Sequence, residues 1–153
     1  MISELEQISM FKGLSFDQLE KISSFCEIQQ YYEGDILIKE GGDISEDMFI
    51  LLVGTVEIVS SNSVATSSEV VLSREDKEIF GEIGWLCKTR RTAGVRCNTE
   101  VEAIRIDGAR LMAYLEEEPT AGFQVMRQIA TLLAKRMEES NRLLKQLLWN
   151  RDI

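Results

Sequence analysis

The chain has 153 residues, 44% of them hydrophobic and 28% charged, with a formal net charge of −9. That length suits one ordinary domain, which buries roughly 70% of its unfolded surface and needs no disulfide or metal staple. The composition excludes global disorder, and the acidic balance argues against bulk attraction to nucleic acid or anionic membrane. No apolar run approaches the roughly 18–20 residues of a membrane span, and the start, Met1 to Met10, lacks the basic and apolar regions of a signal peptide. A cytoplasmic protein is expected. There is no histidine, so the usual general base and commonest metal ligand are missing. The three cysteines, Cys26, Cys87 and Cys97, have no close paired spacing and read as free thiols of a reducing compartment.

Residues 1–30 read as a helical segment. Leu5, Ile8, Met10 and Phe11 precede a break at Gly13. Ser15 is then a candidate N-cap, with Gln18 three residues on completing a capping box. Leu19, Ile22, Ser23 and Cys26 would share one face of that second helix.

From Tyr31 the pattern changes to short β-branched runs separated by glycines. Ile36 and Ile38 alternate, Met48 to Val53 is continuous and apolar, and Val56, Ile58 and Ser60 alternate again. Val70 to Leu72, Val95 and Val101 to Ile106 complete the set. Many short strands with glycine turns predict an antiparallel sandwich or barrel over 31–107. Ser60 to Ser68, rich in Ser, Asn and Thr, reads as a hairpin tip.

Helical periodicity returns over 108–149. Gly108 to Glu118 is a short amphipathic segment ending at Pro119, the only proline. Ala121 to Trp149 follows, with Met126, Ala130, Leu133, Met137, Ser140, Leu144 and Leu147 in steps of four and three. That heptad seam predicts a long helix and a homodimer paired through it. The helix carries +3, against −12 for residues 1–120.

Inside the acidic part, Ile83 to Asn98 holds Lys88, Arg90, Arg91 and Arg96 and no acid. A basic island of this size fits a small anion better than a long polyanion. The stretch that surrounds it reads F-G-E-I-G-W-L-C-K-T-R-R-T-A-G-V from Phe80 to Val95. Gly81 and Gly84 allow close backbone approach, and Ile83 to Leu86 can form one helical turn with free amide groups. Arg91 offers a permanent planar donor fork for a phosphate. Glu82 is out of place beside an anion unless the ligand also carries a hydroxyl for the carboxylate to accept. Phosphate and sugar hydroxyl together describe a nucleotide.

These residues resemble the phosphate-binding cassette of cyclic nucleotide-binding domains, as in protein kinase A regulatory subunits, cyclic nucleotide-gated channels and bacterial cyclic AMP receptor proteins. There the cassette reads F-G-E-L-A-L, then, several residues on, R-(S/T/A)-A. Phe80, Gly81, Glu82 and Ile83 match its start, and Arg91, Thr92 and Ala93 its end, with the family's nine-residue step from Glu82 to Arg91. Phe11, Gly13, Leu14, Ser15 and Leu19 resemble the family's N-terminal helices, and Gly34, Ile36, Glu40, Gly41, Phe49, Gly54, Val56 and Ile58 its strand-and-glycine pattern. The resemblance spans nearly the whole chain. Departures are Gly84 for the usual Ala or Ser, Arg90 where Pro is frequent, Gly94 where a β-branched residue is common, and a bulky Trp85, expected partly exposed.

The resemblance implies one domain over 1–153, mainly β with helices: an antiparallel β-roll or jelly-roll barrel with N-terminal helices, a short helix in a cassette at 80–95, and a long C-terminal helix. It implies a non-enzymatic sensor of cyclic AMP or cyclic GMP, without a cofactor. Glu82 would take the ribose 2′-hydroxyl and Arg91 the exocyclic phosphate oxygens, with backbone groups near Gly81, Ile83, Gly84, Thr92 and Ala93 assisting. Arg136, Ser140 and Asn141 on the long helix stand where the bacterial relatives read the base. With no room for a helix-turn-helix after Trp149, the expectation is a stand-alone module that does not bind DNA by itself and signals to an unknown protein partner. The alternative is a domain of this fold that dimerises and binds no nucleotide.

Overall fold

Local sequence signals build the N-terminal elements. The structure, a computed structural model, describes residues 1–42, 44–61, 69–74, 79–91 and 93–151. Helix α1 (Ile2–Glu6) and a 3₁₀ turn (Ser9–Phe11) lead into α2 (Phe16–Ser23). The predicted capping box is present: Gln18 N–H donates to Ser15 Oγ at 3.2 Å, and Ser15 N–H donates to Gln18 Oε1 at 2.8 Å. Such a cap is worth about 1 kcal/mol. Helix α2 ends at Ser23, earlier than the sequence suggests, and Cys26–Tyr31 is strand β1 rather than helix. The reason is its place at a sheet edge, where Glu27, Gln29 and Gln30 are tolerated and leave little β signal.

The remaining strands are β2 (Ile36–Ile38), β3 (Met48–Val53), β4 (Val56–Ser61), β5 (Glu69–Arg74), β6 (Ile79–Phe80), β7 (Gly94–Cys97) and β8 (Val101–Ile106). They form two four-stranded antiparallel sheets, ordered β1-β8-β3-β6 and β2-β7-β4-β5. This is the mainly antiparallel β-roll with flanking helices that the sequence implies. The β4–β5 pairing closes with Ser61 opposite Glu69, and the expected hairpin tip at 62–68 lies outside the described residues.

Strand β3 is buried on both faces from Met48 to Leu51, which explains its unbroken apolar run. Side chains alternate along β3 and β8 with the two-residue strand period. Met48, Ile50, Ile104 and Ile106 pack toward the helices with Leu5, Phe11 and Ile22. Phe49, Leu51, Val101 and Ala103 face into the roll, against Ile38, Val56, Phe80 and Val95.

Between β6 and β7 lies α3 (Glu82–Cys87), and after β8 come α4 (Gly108–Glu117) and α5 (Pro119–Arg151). Helix α5 has 33 residues and is about 50 Å long. Its first half seats Ala121, Val125 and Ile129, one turn apart, on the helical side of the core. From Met137 to Asn150 every residue is exposed, so the seam projects beyond the body. No described helix is long and apolar enough to cross a membrane.

Candidate functional site

Strand β6 delivers the chain to Gly81, which caps α3 in the left-handed region at φ 87°. A Cβ there would sit 2.8 Å from the Asp47 carbonyl oxygen, so both conformation and space require glycine. The first backbone bond of α3 runs from Trp85 N–H to Gly81 O at 3.1 Å, leaving the amides of Glu82, Ile83 and Gly84 ahead of the helical ladder. Lys88, at φ 53°, ends the helix, and Gly41 N–H then holds the Arg91 carbonyl at 2.9 Å.

Arg91 is only 9% exposed. Its Nη1 donates to Gly81 O at 3.1 Å and its Nη2 to Asp47 O at 2.6 Å. Burial pulls its basicity down, while Asp47 and Glu82 support the charge. The guanidinium lies against Gly84, whose missing Cβ leaves the room it occupies. That is the physical use of the departure from Ala or Ser at this position.

Glu82, only 7% exposed, meets the long helix. Arg136 Nη1 donates to Glu82 Oε1 at 2.7 Å, and Arg136 Nη2 donates to Ile79 O at 3.1 Å. One turn of chain in α3 is thereby joined to a residue 54 positions away.

These groups face a cavity of about 260 Å³, near the low end of small-molecule sites, roughly 300–1,000 Å³. Ile38, Ile58, Phe80 and Val95 give it an apolar side, and Glu82, Arg91 and Arg136 a charged one. An apolar ring system and an anionic, hydroxylated part of one ligand would each find a matching surface. Among the described residues, no cluster of acidic or cysteine side chains could hold a metal ion.

Of the residues singled out from sequence, Gly81, Glu82, Ile83, Gly84, Arg91, Ala93 and Arg136 border this one cavity. Thr92 lies outside the described residues. Ser140 and Asn141 are exposed on α5, about one helical turn past Arg136, and do not line the cavity. The basic island divides: Arg90 and Arg91 border the cavity, whereas Arg96 pairs with Glu57 at 2.9 Å across β7 and β4. Trp85 is fully buried rather than partly exposed, because its Nε1 reaches Gly108 O at 2.8 Å beneath the helical layer. Sequence reasoning missed Thr89, Asp47 and the apolar wall of Ile38, Ile58 and Val95. Ile38 and Ile58 stand in the alternating runs and Val95 in a short β-branched one, but nothing local marked where the roll opens.

Comparison with known proteins agrees with this geometry. The cyclic nucleotide-binding domain family matches residues 28–118. Glutaminase 1 of Bradyrhizobium diazoefficiens is 27% identical over 139 residues, covering 91% of this chain and 22% of that protein. Human cGMP-dependent protein kinase 2 is 31% identical over 91 residues, 60% of this chain and 12% of that protein. The chain therefore spans well under two thirds of either relative. A crystal structure of a cyclic nucleotide-binding domain from Methylobacillus flagellatus superposes with a TM-score of 0.79 at 19% identity, covering 95% of this chain and 81% of that one, and speaks for the fold. With sheets, cassette and family match in agreement, the chain belongs to the cyclic nucleotide-binding domain family.

Proposed function

We propose that the cavity between β6, α3 and α5 binds cyclic AMP or cyclic GMP and that the protein is a non-enzymatic regulatory sensor. One observation carries the reading: a buried carboxylate, Glu82, and a buried guanidinium, Arg91, converge on one cavity that also has an apolar wall. Glu82 accepts the ribose 2′-hydroxyl, Arg91 pairs with the exocyclic phosphate oxygens, and the base lies on the apolar side near Arg136. The leading amides of α3 add donors to the phosphate. Helix α5, which supplies Arg136 and then projects from the body, carries the signal and pairs with a second copy in a cytoplasmic homodimer.

A second reading, a dimerising domain with no nucleotide, is favoured by the Glu82–Arg136 pair, which already occupies one oxygen of the expected sugar acceptor. Calorimetric titration with cyclic AMP and cyclic GMP separates the two. Binding is expected for at least one nucleotide, and Arg91→Ala is expected to weaken it by about 2–5 kcal/mol, several tens to thousands-fold. Glu82→Ala is expected to weaken the ribonucleotide and scarcely change the 2′-deoxy analogue. Flat titrations with both nucleotides would establish the second reading instead.

A further inference from the structure

We infer that Arg105, which does not border the nucleotide cavity, is a positioning residue for Arg91, acting through Asp47. The inference rests on the proposed phosphate role of Arg91. Asp47 immediately precedes β3, and Arg105 lies on β8, paired in register with Phe49. Arg105 Nε and Nη2 both donate to Asp47 Oδ2, at 2.8 and 2.5 Å. Asp47 N–H donates to Ser45 Oγ at 3.2 Å, and Asp47 O receives Arg91 Nη2 at 2.6 Å. One residue is thus gripped by its carboxylate on one side and presents its carbonyl to the phosphate arginine on the other.

The arrangement does two things. It fixes the carbonyl that aims Arg91, and it holds the Asp47 carboxylate in bonds to Arg105 while Arg91 takes the carbonyl oxygen. Two cations share the neighbourhood of one anion, and the anion is committed to Arg105, where two donors meet one oxygen. A second cavity, of about 340 Å³, is bordered by Asp47, Arg91 and Arg105 together, so a released carboxylate has open space beside Arg91. Without Arg105, that carboxylate turns to Arg91 and competes with an incoming phosphate for the same guanidinium. Arg105 therefore raises phosphate affinity without touching the ligand.

The pattern across variants distinguishes this role from a structural one. Arg105→Met is expected to weaken binding of whichever nucleotide the protein takes by about tenfold, a coupling within the range for residues sharing one ion-pair network. The double variant Arg105→Met with Asp47→Asn is expected to recover most of that loss, because the competing charge is gone. Arg105→Lys, which keeps a cation on Asp47, is expected to stay within about threefold of the unmodified protein. A merely structural Arg105 would make the double variant as weak as Arg105→Met or weaker, and that result overturns the inference. A readout without ligand accompanies the titrations: the Arg91 side-chain nitrogen resonances should shift in Arg105→Met and return toward their original positions in the double variant. If the unmodified protein binds neither nucleotide, the functional reading fails, and these resonances still decide the inference. Unmoved Arg91 resonances in Arg105→Met would refute it.

Discussion

Gly81 and Gly84 stand three residues apart in one turn, yet an added methyl meets a different obstacle at each. At Gly81 the backbone has φ 87° and the nearest atom is a main-chain oxygen, Asp47 O at 2.8 Å, which cannot step aside. Gly81→Ala is expected to cost about 1–3 kcal/mol of stability, seen as a lower denaturant midpoint. At Gly84 the methyl meets only the guanidinium of Arg91, the end of a flexible side chain. In a helix, alanine there gains up to about 1 kcal/mol of propensity. Gly84→Ala is therefore expected to leave the midpoint equal or higher while displacing Arg91 from its two carbonyls and weakening nucleotide binding severalfold. A fall in stability at Gly84 as large as at Gly81 would show that Arg91 cannot yield. How far these residues were legible in sequence follows from their reach. Glu82 and Arg91 announce themselves because their chemistry and spacing are contained in one short stretch. Asp47 does not, because what matters is its main-chain oxygen, brought to Arg91 from 44 positions away by tertiary pairing.

At the level of elements, sequence and structure agree where the signal is local or strongly periodic. The Ser15–Gln18 cap, the β3 run and the long α5 are of this kind. Agreement fails at β1, whose polar residues suit an edge strand, and at α3, whose six residues are too few for a helical period to reveal that Trp85 turns inward. Helix α5 divides into two stretches that the heptad seam alone does not separate. Leu133 is half-buried and packs on the core, whereas Leu144 and Leu147 are 55% and 68% exposed. A charge at Leu133 would damage fold and association together. Charges at Leu144 and Leu147 isolate association: the doubly substituted Leu144→Glu, Leu147→Glu protein is expected to be monomeric, with a melting midpoint that no longer depends on protein concentration and matches that of the unmodified chain diluted until its dimer dissociates. The unmodified chain is expected to be dimeric, because pairing buries the exposed leucines of the seam, and unpaired charge at the same positions opposes that pairing. Light scattering gives both masses, and a monomeric mass for the unmodified chain would rule out the α5 pairing.

Two features belong to the molecule as a whole. Burial pushes the Cys26 thiol up to about 12 and the Cys97 thiol up to about 11, from an ordinary value of 9.0. The unfolded chain loses those protons first, so stability is expected to fall as pH rises from about 9 toward 11–12. Denaturant titrations along that range, repeated with Cys26→Ser and Cys97→Ser, check the slope; an unchanged slope in both variants would place its source elsewhere. The second feature is the link between cassette and α5. Arg136 spans from α5 to Glu82 and to Ile79 O. A carboxylate has two acceptor oxygens, and Arg136 engages Oε1, so a ribose hydroxyl on the other oxygen is compatible with the ion pair. A nucleotide that touches Glu82 and lies against Arg136 then gains most when α5 stays seated, and it stabilises that arrangement by its differential affinity. Hydrogen exchange with added nucleotide is expected to slow at 79–91 and also in α5 around Ile129 to Met137. Residues 143–150 are all exposed and, in the monomeric Leu144→Glu, Leu147→Glu variant, are expected to exchange equally fast in both states. Faster exchange around Arg136 would mean that the hydroxyl displaces it from Glu82 and releases the helix. Protection confined to the cassette, with no change along α5, would show that the ion pair joins the two elements without coupling them.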